Sequence, residues 1–137
     1  MNDKVLIGLV PDLKRKAGFL KFKTCTLIIL EKQLIFAHST QKLRNTFKNK
    51  TIDAHYHPMT VKKILGESPE NFSLQPKDIV RIRLMSGEIF IDASENGPDK
   101  LAIRTHDHRY NFVFGPKSPS FERVKALLEK EFAPLMA

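Results

Sequence analysis

The sequence lacks the residues and motifs on which several classes of protein depend. It contains no tryptophan and a single cysteine, Cys25, so no intramolecular disulfide can form, as is typical of proteins from reducing compartments. Only six of the 137 residues are glycine. No glycine-rich phosphate loop, dinucleotide fingerprint or nucleophile elbow of the kind found in enzymes occurs. The sequence therefore predicts a non-catalytic protein that uses no cofactor.

Long apolar runs are also missing. The longest, residues 27–30, is far shorter than the roughly 20 residues that cross a bilayer as a helix. Residues 1–4 have neither the basic start nor the apolar centre of a secretory signal. We therefore expect a cytoplasmic protein, either free or peripheral to a membrane.

The overall composition is that of a folded globular protein. Apolar residues make up 42% of the chain and charged residues 28%, which favours a packed core over disorder. A length of 137 residues suits one domain and leaves little material for a second. We expect a single domain over residues 1–137 with a single core.

Positive charge is unevenly distributed along the chain. The formal net charge is +8, and residues 1–63 hold 13 Lys or Arg against 4 Asp or Glu, whereas the remainder holds 10 against 11. Such asymmetry predicts an anionic partner, whether nucleic acid, phospholipid headgroups or an acidic protein face. A solvated basic surface without a partner is the competing interpretation.

Apolar and β-branched patterns predict seven strands. They are placed at residues 4–10, 24–30, 34–37, 79–85, 88–93, 100–105 and 109–114. Pro11-Asp12 is interpreted as a turn that closes the first strand. Residues 13–23 are interpreted as a connection, with room for a short strand near 19–22.

Helical patterns occur in the middle and at the end of the chain. Residues 40–50 carry Leu43 and Phe47 four positions apart among basic residues, which predicts an amphipathic helix, and a second short helix is predicted at 60–65. Together they form an insertion at about 40–66. A final amphipathic helix is predicted to follow Ser118 as its N-cap and Pro119 as its first residue.

This order of elements predicts the fold class. The chain should be mainly β, of the α+β type, with the helical insertion after the third strand and a capping helix at the C-terminus. Antiparallel strands joined by tight turns curl into a sandwich or barrel, and a terminal amphipathic helix covers the open side.

The element order, with the segments TLIILEKQLIFA at 26–37 and SPENF at 68–72, resembles prokaryotic pleckstrin-homology-like (PH-like) domains over nearly the whole chain. The resemblance implies a seven-stranded barrel capped by a helix. It also implies a binding role, with lipid headgroups or protein partners as usual ligands. The insertion at 40–65 departs from the compact eukaryotic form.

In lipid-binding members of the wider superfamily, basic residues around the first strand connection hold phosphates. The matching region here predicts an anion site whose cations converge on one loop and bind phosphate by charge-assisted hydrogen bonds. No arginine follows the Lys-Phe-Lys pattern at 21–23, which is a departure from the family. The candidate ligand-binding residues are Lys14, Arg15, Lys16, Lys21 and Lys23.

Two other kinds of partner remain open. The basic helix at 40–50 would bind nucleic acid if Lys42, Arg44, Lys48 and Lys50 contacted phosphates, or it would dock through its apolar side with a solvated outer face. Alternatively, an unpaired edge strand would accept a strand from a protein partner or mediate self-association.

The remaining candidates for chemistry are isolated. The pairs His55/His57 and His106/His108 have the alternation that can share a zinc ion, but no nearby Cys or second carboxylate supports either pair, which favours polar turns. Cys25 lies among apolar strand residues, which predicts a buried, inert thiol.

Overall fold

The computed structural model describes residues 4–18, 21–87 and 98–136. Seven strands form one antiparallel sheet of order β4-β3-β2-β1-β7-β6-β5. Their bounds are β1 Leu6–Gly18, β2 Lys21–Leu30, β3 Gln33–His38, β4 Phe72–Leu74, β5 Ile79–Met85, β6 Lys100–Thr105 and β7 Arg109–Phe114.

Three short helices lie between β3 and β4, and a longer one follows β7. They are α1 Gln41–Thr46, α2 Ile52–Tyr56, α3 Val61–Gly66 and α4 Phe121–Phe132. Each short helix begins after a threonine whose hydroxyl accepts a backbone N–H three residues later, which satisfies one free donor of the first turn. These N-caps, Thr40, Thr51 and Thr60, explain why such short segments start where they do.

The predicted fold class is confirmed. The chain is mainly β and α+β, with the helical insertion after the third strand and a helix at the C-terminus. The sheet is not closed, however: across the described residues, the edge strands β4 and β5 do not pair with each other. The strand predicted at 88–93 lies outside the described residues. The short strand β4 was not predicted.

The turn predicted at Pro11-Asp12 is wrong. β1 continues through it with a bulge, where the pairing passes from Val10 opposite Leu27 directly to Leu13 opposite Cys25. Asp12 takes the left-handed conformation at φ 61°. Proline and a left-handed residue occur at bulges as well as at turns, so residues 13–18 extend the first hairpin instead of forming a connection.

Two helix boundaries also differ from the prediction. α1 ends at Thr46, not at residue 50. α4 has Ser120 as its N-cap, with the hydroxyl accepting the Arg123 N–H at 3.3 Å. Ser118 is not the cap, because its hydroxyl donates to the backbone carbonyls of Pro11 and Asp12.

The single core that was expected is in fact two apolar clusters on opposite faces of the sheet. The inner face, which carries Leu27 and Phe36, packs under α4. The outer face of β2 and β3, which carries Ile28 and Ile35, packs under α2, α3 and Phe47, the residue that follows α1. Because both faces are covered, these two strands are continuous apolar runs and do not alternate with polar residues.

The bulge in β1 is fastened to the loop after β7. The Asp12 carbonyl accepts the Gly115 N–H at 2.9 Å and the Ser118 hydroxyl at 2.9 Å. The Asp12 carboxylate accepts the Lys117 N–H at 2.8 Å. Burial alone would raise the pKa of this carboxyl, but the Lys117 N–H and the Lys14 ammonium outweigh burial and lower the pKa below 3.8.

The geometry of this junction predicts that alanine substitution affects stability differently at two glycines. A Cβ at Gly115 would lie 2.7 Å from the Asp12 carbonyl oxygen, whereas a Cβ at Gly66 meets nothing within 4 Å. We expect Gly115→Ala to reduce the free energy of unfolding by about 1–3 kcal/mol, as overpacking does. Gly66→Ala should change it by less than about 0.5 kcal/mol. Urea denaturation of both variants measures this, and equal effects would contradict the geometry.

Candidate anion-binding site

The structure divides the five predicted cations between the two faces of the β1–β2 hairpin. Residues directly opposite in an antiparallel pair share a face, and neighbours along a strand alternate. Lys14 pairs with Thr24, Arg15 with Lys23 and Lys16 with Phe22. The outer face therefore carries Lys14 and Lys16. The inner face carries Arg15, Lys21 and Lys23.

Arg15 is held by packing on the inner face. One guanidinium nitrogen donates to Nε2 of His38 at 3.0 Å, and the guanidinium carbon lies 5.2 Å from the Phe72 ring centre and 5.4 Å from that of Tyr110. These distances are those of cation–π contacts. Beside Arg15, Lys23 forms an ion pair with Glu70. Two of the three predicted ligand groups on the inner face thus already have partners within the chain.

The aromatic rings beneath Arg15 form a continuous stack. Centroid distances are 4.6 Å for Phe112–Phe36, 5.0 Å for Phe36–Phe72 and 4.6 Å for Phe72–Tyr110. Offset stacking at such distances adds to the stabilisation from burial. The inner face at this end of the sheet is therefore a structural cluster of rings closed by an arginine.

The outer face opens into a cleft of about 590 Å³ beside α1. Apolar cover ends here, and hydroxyls replace apolar side chains. Thr24 and Thr26 of β2 line the cleft, together with Ser39, which follows β3. Lys14 stands next to it, with its ammonium 2.9 Å from the Asp12 carboxylate and donating to the Thr24 hydroxyl at 2.8 Å.

Three further cations line the same cleft: Arg44 from α1, Lys48 beyond it and Lys117 from the loop after β7. The single carboxylate among the lining residues is Asp12. One Arg44 nitrogen donates to the Gln41 side chain at 2.9 Å, which leaves the rest of its guanidinium fork for a ligand. Hydroxyls and cations together suit a phosphate ester, because both groups donate to its oxygens.

Sequence reasoning found only part of this cleft. Lys14 was predicted as an anion ligand, while Arg44 and Lys48 were assigned to a nucleic-acid helix. The hydroxyls and Lys117 were missed. The alternation of Thr24 and Thr26 within a strand was an available signal, but Ser39 and Lys117 come from other parts of the chain and are assembled by the tertiary fold.

The histidine pairs do not assemble with other potential ligands. His55 Nε2 lies 2.7 Å from a Glu67 oxygen, and His106 Nε2 donates to the Lys77 carbonyl at 3.2 Å. His108 packs on the Tyr110 ring at 4.3 Å. Within the part of the chain that is described, no three His, Cys, Asp or Glu side chains converge on a possible metal position.

No helix among the described residues is long and apolar enough to cross a membrane.

No protein-family model matches the chain, and none of the curated proteins matches it significantly.

Cys25 is buried, as predicted. Burial raises the pKa of its thiol to about 12, against the smaller effects of Arg15 and Lys14. Because the thiolate is the reactive form, we expect no reaction of the native protein with Ellman's reagent and one thiol after unfolding in guanidinium. Lys16→Cys in a Cys25→Ser background is the exposed control and should react at once. Rapid reaction of native Cys25 would contradict its burial.

The burial of His38 predicts that the folded chain loses stability in mild acid. Burial, and then the charge of Arg15, lower the pKa of His38 below 6.5. The unfolded chain therefore takes up a proton near pH 6.5, before the folded chain does. Stability is fully present above about pH 6.5 and falls below it, by about 1.4 kcal/mol for each pKa unit of lowering, until the folded pKa is passed.

His38→Gln removes the titrating group, so its free energy of unfolding should fall less between about pH 7 and about pH 5 than that of the parent chain. Denaturant melts at a series of pH values measure this difference. Exposed His57→Gln is the control and should follow the parent. Parallel curves for His38→Gln and the parent would show that His38 has no such role.

Proposed function

We propose that the chain is a non-catalytic binding module whose ligand is the phosphorylated headgroup of an anionic lipid. The observation that carries the proposal is the cleft in which strand hydroxyls face Arg44, Lys48 and Lys117, with Lys14 beside it. The expected location is the cytoplasmic surface of a membrane.

The chemistry of the cleft suits a headgroup. Phosphate oxygens accept from guanidinium and ammonium groups, and the hydroxyls of Thr24, Thr26 and Ser39 can donate to phosphate or bond to glycerol or inositol hydroxyls. The one carboxylate, Asp12, already accepts from Lys117 and pairs with Lys14. Binding, with no bond made or broken, is what these groups support.

The hairpin next to the cleft favours a bilayer over a free phosphate. Phe22 shares the outer face with Lys14 and Lys16 and is 52% exposed. An exposed apolar ring such as Phe can bury at the boundary between headgroups and acyl chains, and each basic residue near an anionic surface contributes about 1 kcal/mol. Exposed Lys16 lies opposite this ring, and exposed Lys21 precedes it on the other face of the hairpin, so the hairpin combines an apolar contact with positive charge.

The architecture supports the proposal in part. A seven-stranded antiparallel sheet with a C-terminal helix packed on its inner face has the strand number and the terminal helix that the resemblance to prokaryotic PH-like domains implies, but the sheet is open where the resemblance implies a barrel. In lipid-binding relatives of that superfamily, the first hairpin supplies the phosphate contacts, and here Lys14 in that hairpin connects it to the cleft.

The proposal is tested by cosedimentation with vesicles containing phosphatidylserine and phosphoinositide, against phosphatidylcholine vesicles. Arg44→Gln/Lys48→Gln/Lys117→Gln should weaken partitioning about 100-fold, from about 1 kcal/mol for each cation. Lys14→Ala/Lys16→Ala/Lys21→Ala should weaken it similarly. Lys125→Gln/Lys130→Gln on the exposed side of α4 is the charge control and should cost much less.

Three results would contradict the proposal: equal binding to neutral and anionic vesicles, full retention by the cleft variant, or an equal loss in the α4 control. Soluble inositol phosphate added as a competitor distinguishes headgroup recognition from general attraction to the surface. Headgroup recognition predicts displacement from the vesicles, whereas general attraction predicts none.

A further inference from the structure

A second cationic surface lies on the outer face of β5, β6 and β7, which no helix of the described residues covers. Arg81 is directly opposite Arg104, which is directly opposite Arg109. Arg83 lies two residues along β5 from Arg81, opposite Ala102. All four arginines are exposed. We call them the arginine face.

No carboxylate of the described residues neutralises the arginine face. Like charges directly opposite each other in a sheet destabilise it, and this row contains two such pairs. Within residues 4–18, 21–87 and 98–136, the ion pairs involve Lys14, Lys23 and His55, and no carboxylate pairs with these arginines. An anionic ligand would offset the repulsion among these four arginines.

The shape of the surface suits phosphate. The small side chain of Ala102 leaves a depression of about 210 Å³, lined by the four arginines with Met85 and Asn111. A guanidinium presents a planar fork that binds two phosphate oxygens at once, which a lysine cannot do. Asn111 adds an amide donor at the same place.

We infer that the arginine face binds the phosphodiester backbone of a nucleic acid. Neighbouring strands lie about 4.8 Å apart, so the row of three arginines spans about 10 Å. Lys14 continues the same outer face, because it pairs with Val113 of β7. A surface of this extent suits a polyanion, and duplex DNA carries a charge about every 1.7 Å of its axis.

Backbone contacts are favoured over base contacts. The three aromatic residues of β7, Tyr110, Phe112 and Phe114, all belong to the inner cluster. Within β5, β6 and β7 as described, no Phe or Tyr is therefore available on the arginine face to stack on bases. Binding through phosphates alone is independent of sequence and strongly dependent on salt.

This inference is independent of the lipid proposal. Its four arginines take no part in the lipid proposal and its ligand is different, although Lys14 borders both surfaces. The basic segment at 40–50, considered above for nucleic acid, is also separate, because Arg44 and Lys48 line the cleft beside α1. The two proposals can therefore fail separately.

The test is fluorescence anisotropy of labelled single-stranded RNA of about 20 nucleotides and of a DNA duplex of similar length, from about 50 to about 200 mM salt. Four phosphate contacts predict a slope of log K against log salt of about −2.8 for the single strand and about −3.6 for the duplex. Arg81→Gln/Arg104→Gln should make the single-strand slope shallower by about 1.4.

The variant with all four arginines changed to Gln should bind at least about tenfold more weakly. It should melt at the same temperature as the parent or higher, because its like-charge pairs are gone. The matched control removes four exposed charges from helices, Lys62, Lys63, Lys125 and Lys130, and should retain binding within about threefold. The cleft variant of Arg44, Lys48 and Lys117 should also retain binding.

The inference is overturned by any of three results. The parent chain could show no binding to either probe at about 100 μM protein and low salt. Its affinity would then be lower than that of ordinary non-specific nucleic-acid binding. The helix control could lose as much affinity as the arginine variant. Finally, the arginine variant could lose binding to polyglutamate or anionic vesicles while keeping its affinity for nucleic acid, which would assign this face to a protein or membrane partner.

Discussion

Strands β2 and β3 are buried on both faces, and the positions of the other elements follow from this constraint. Their apolar runs at 27–30 and 34–37 cannot be covered by one layer. The helix α4 covers the inner face and the insertion α1–α3 covers the outer face. Where the outer cover ends, Thr24 and Thr26 replace apolar side chains and the cleft opens. The candidate site is thus the edge of a second apolar cluster.

The pleat of the sheet decides which cations are available to a ligand. Arg15 and Lys14 are neighbours in sequence, yet Arg15 is held between His38 and two aromatic rings on the inner face, whereas Lys14 faces outward beside the cleft. Counting charges along the sequence does not distinguish these two cations. The same reasoning explains why the C-terminal half, which is nearly neutral by sequence, presents a face of four arginines: its carboxylates lie elsewhere or outside the described residues.

The sequence predicted best those elements whose pattern is local. The strands at 79–85, 100–105 and 109–114 were placed correctly because they are buried on one face and alternate. Pro11-Asp12 was misread because a bulge and a turn use the same residues. The site was predicted only in part, since Ser39, Arg44 and Lys117 meet through tertiary structure. The arginine face could be recognised only from the register of the strands, although the alternation of Arg81 and Arg83 was visible in the sequence.

The two cationic surfaces are linked by the sheet itself. Lys14 beside the cleft pairs with Val113, and Val113 pairs with Lys100 on the strand that also carries Arg104. Two strand spacings and four residues of rise place Lys14 and Arg104 roughly 16 Å apart, about two screening lengths at physiological salt, where exposed charges are largely screened from each other. At about 0.01 M salt the screening length is about 30 Å, so there an anion bound at one surface would lower the positive potential at the other. Such coupling is reciprocal by thermodynamic necessity. A chain that binds both ligands would therefore hold each one less tightly in the presence of the other at low salt, and nearly independently at physiological salt, even without a change in conformation.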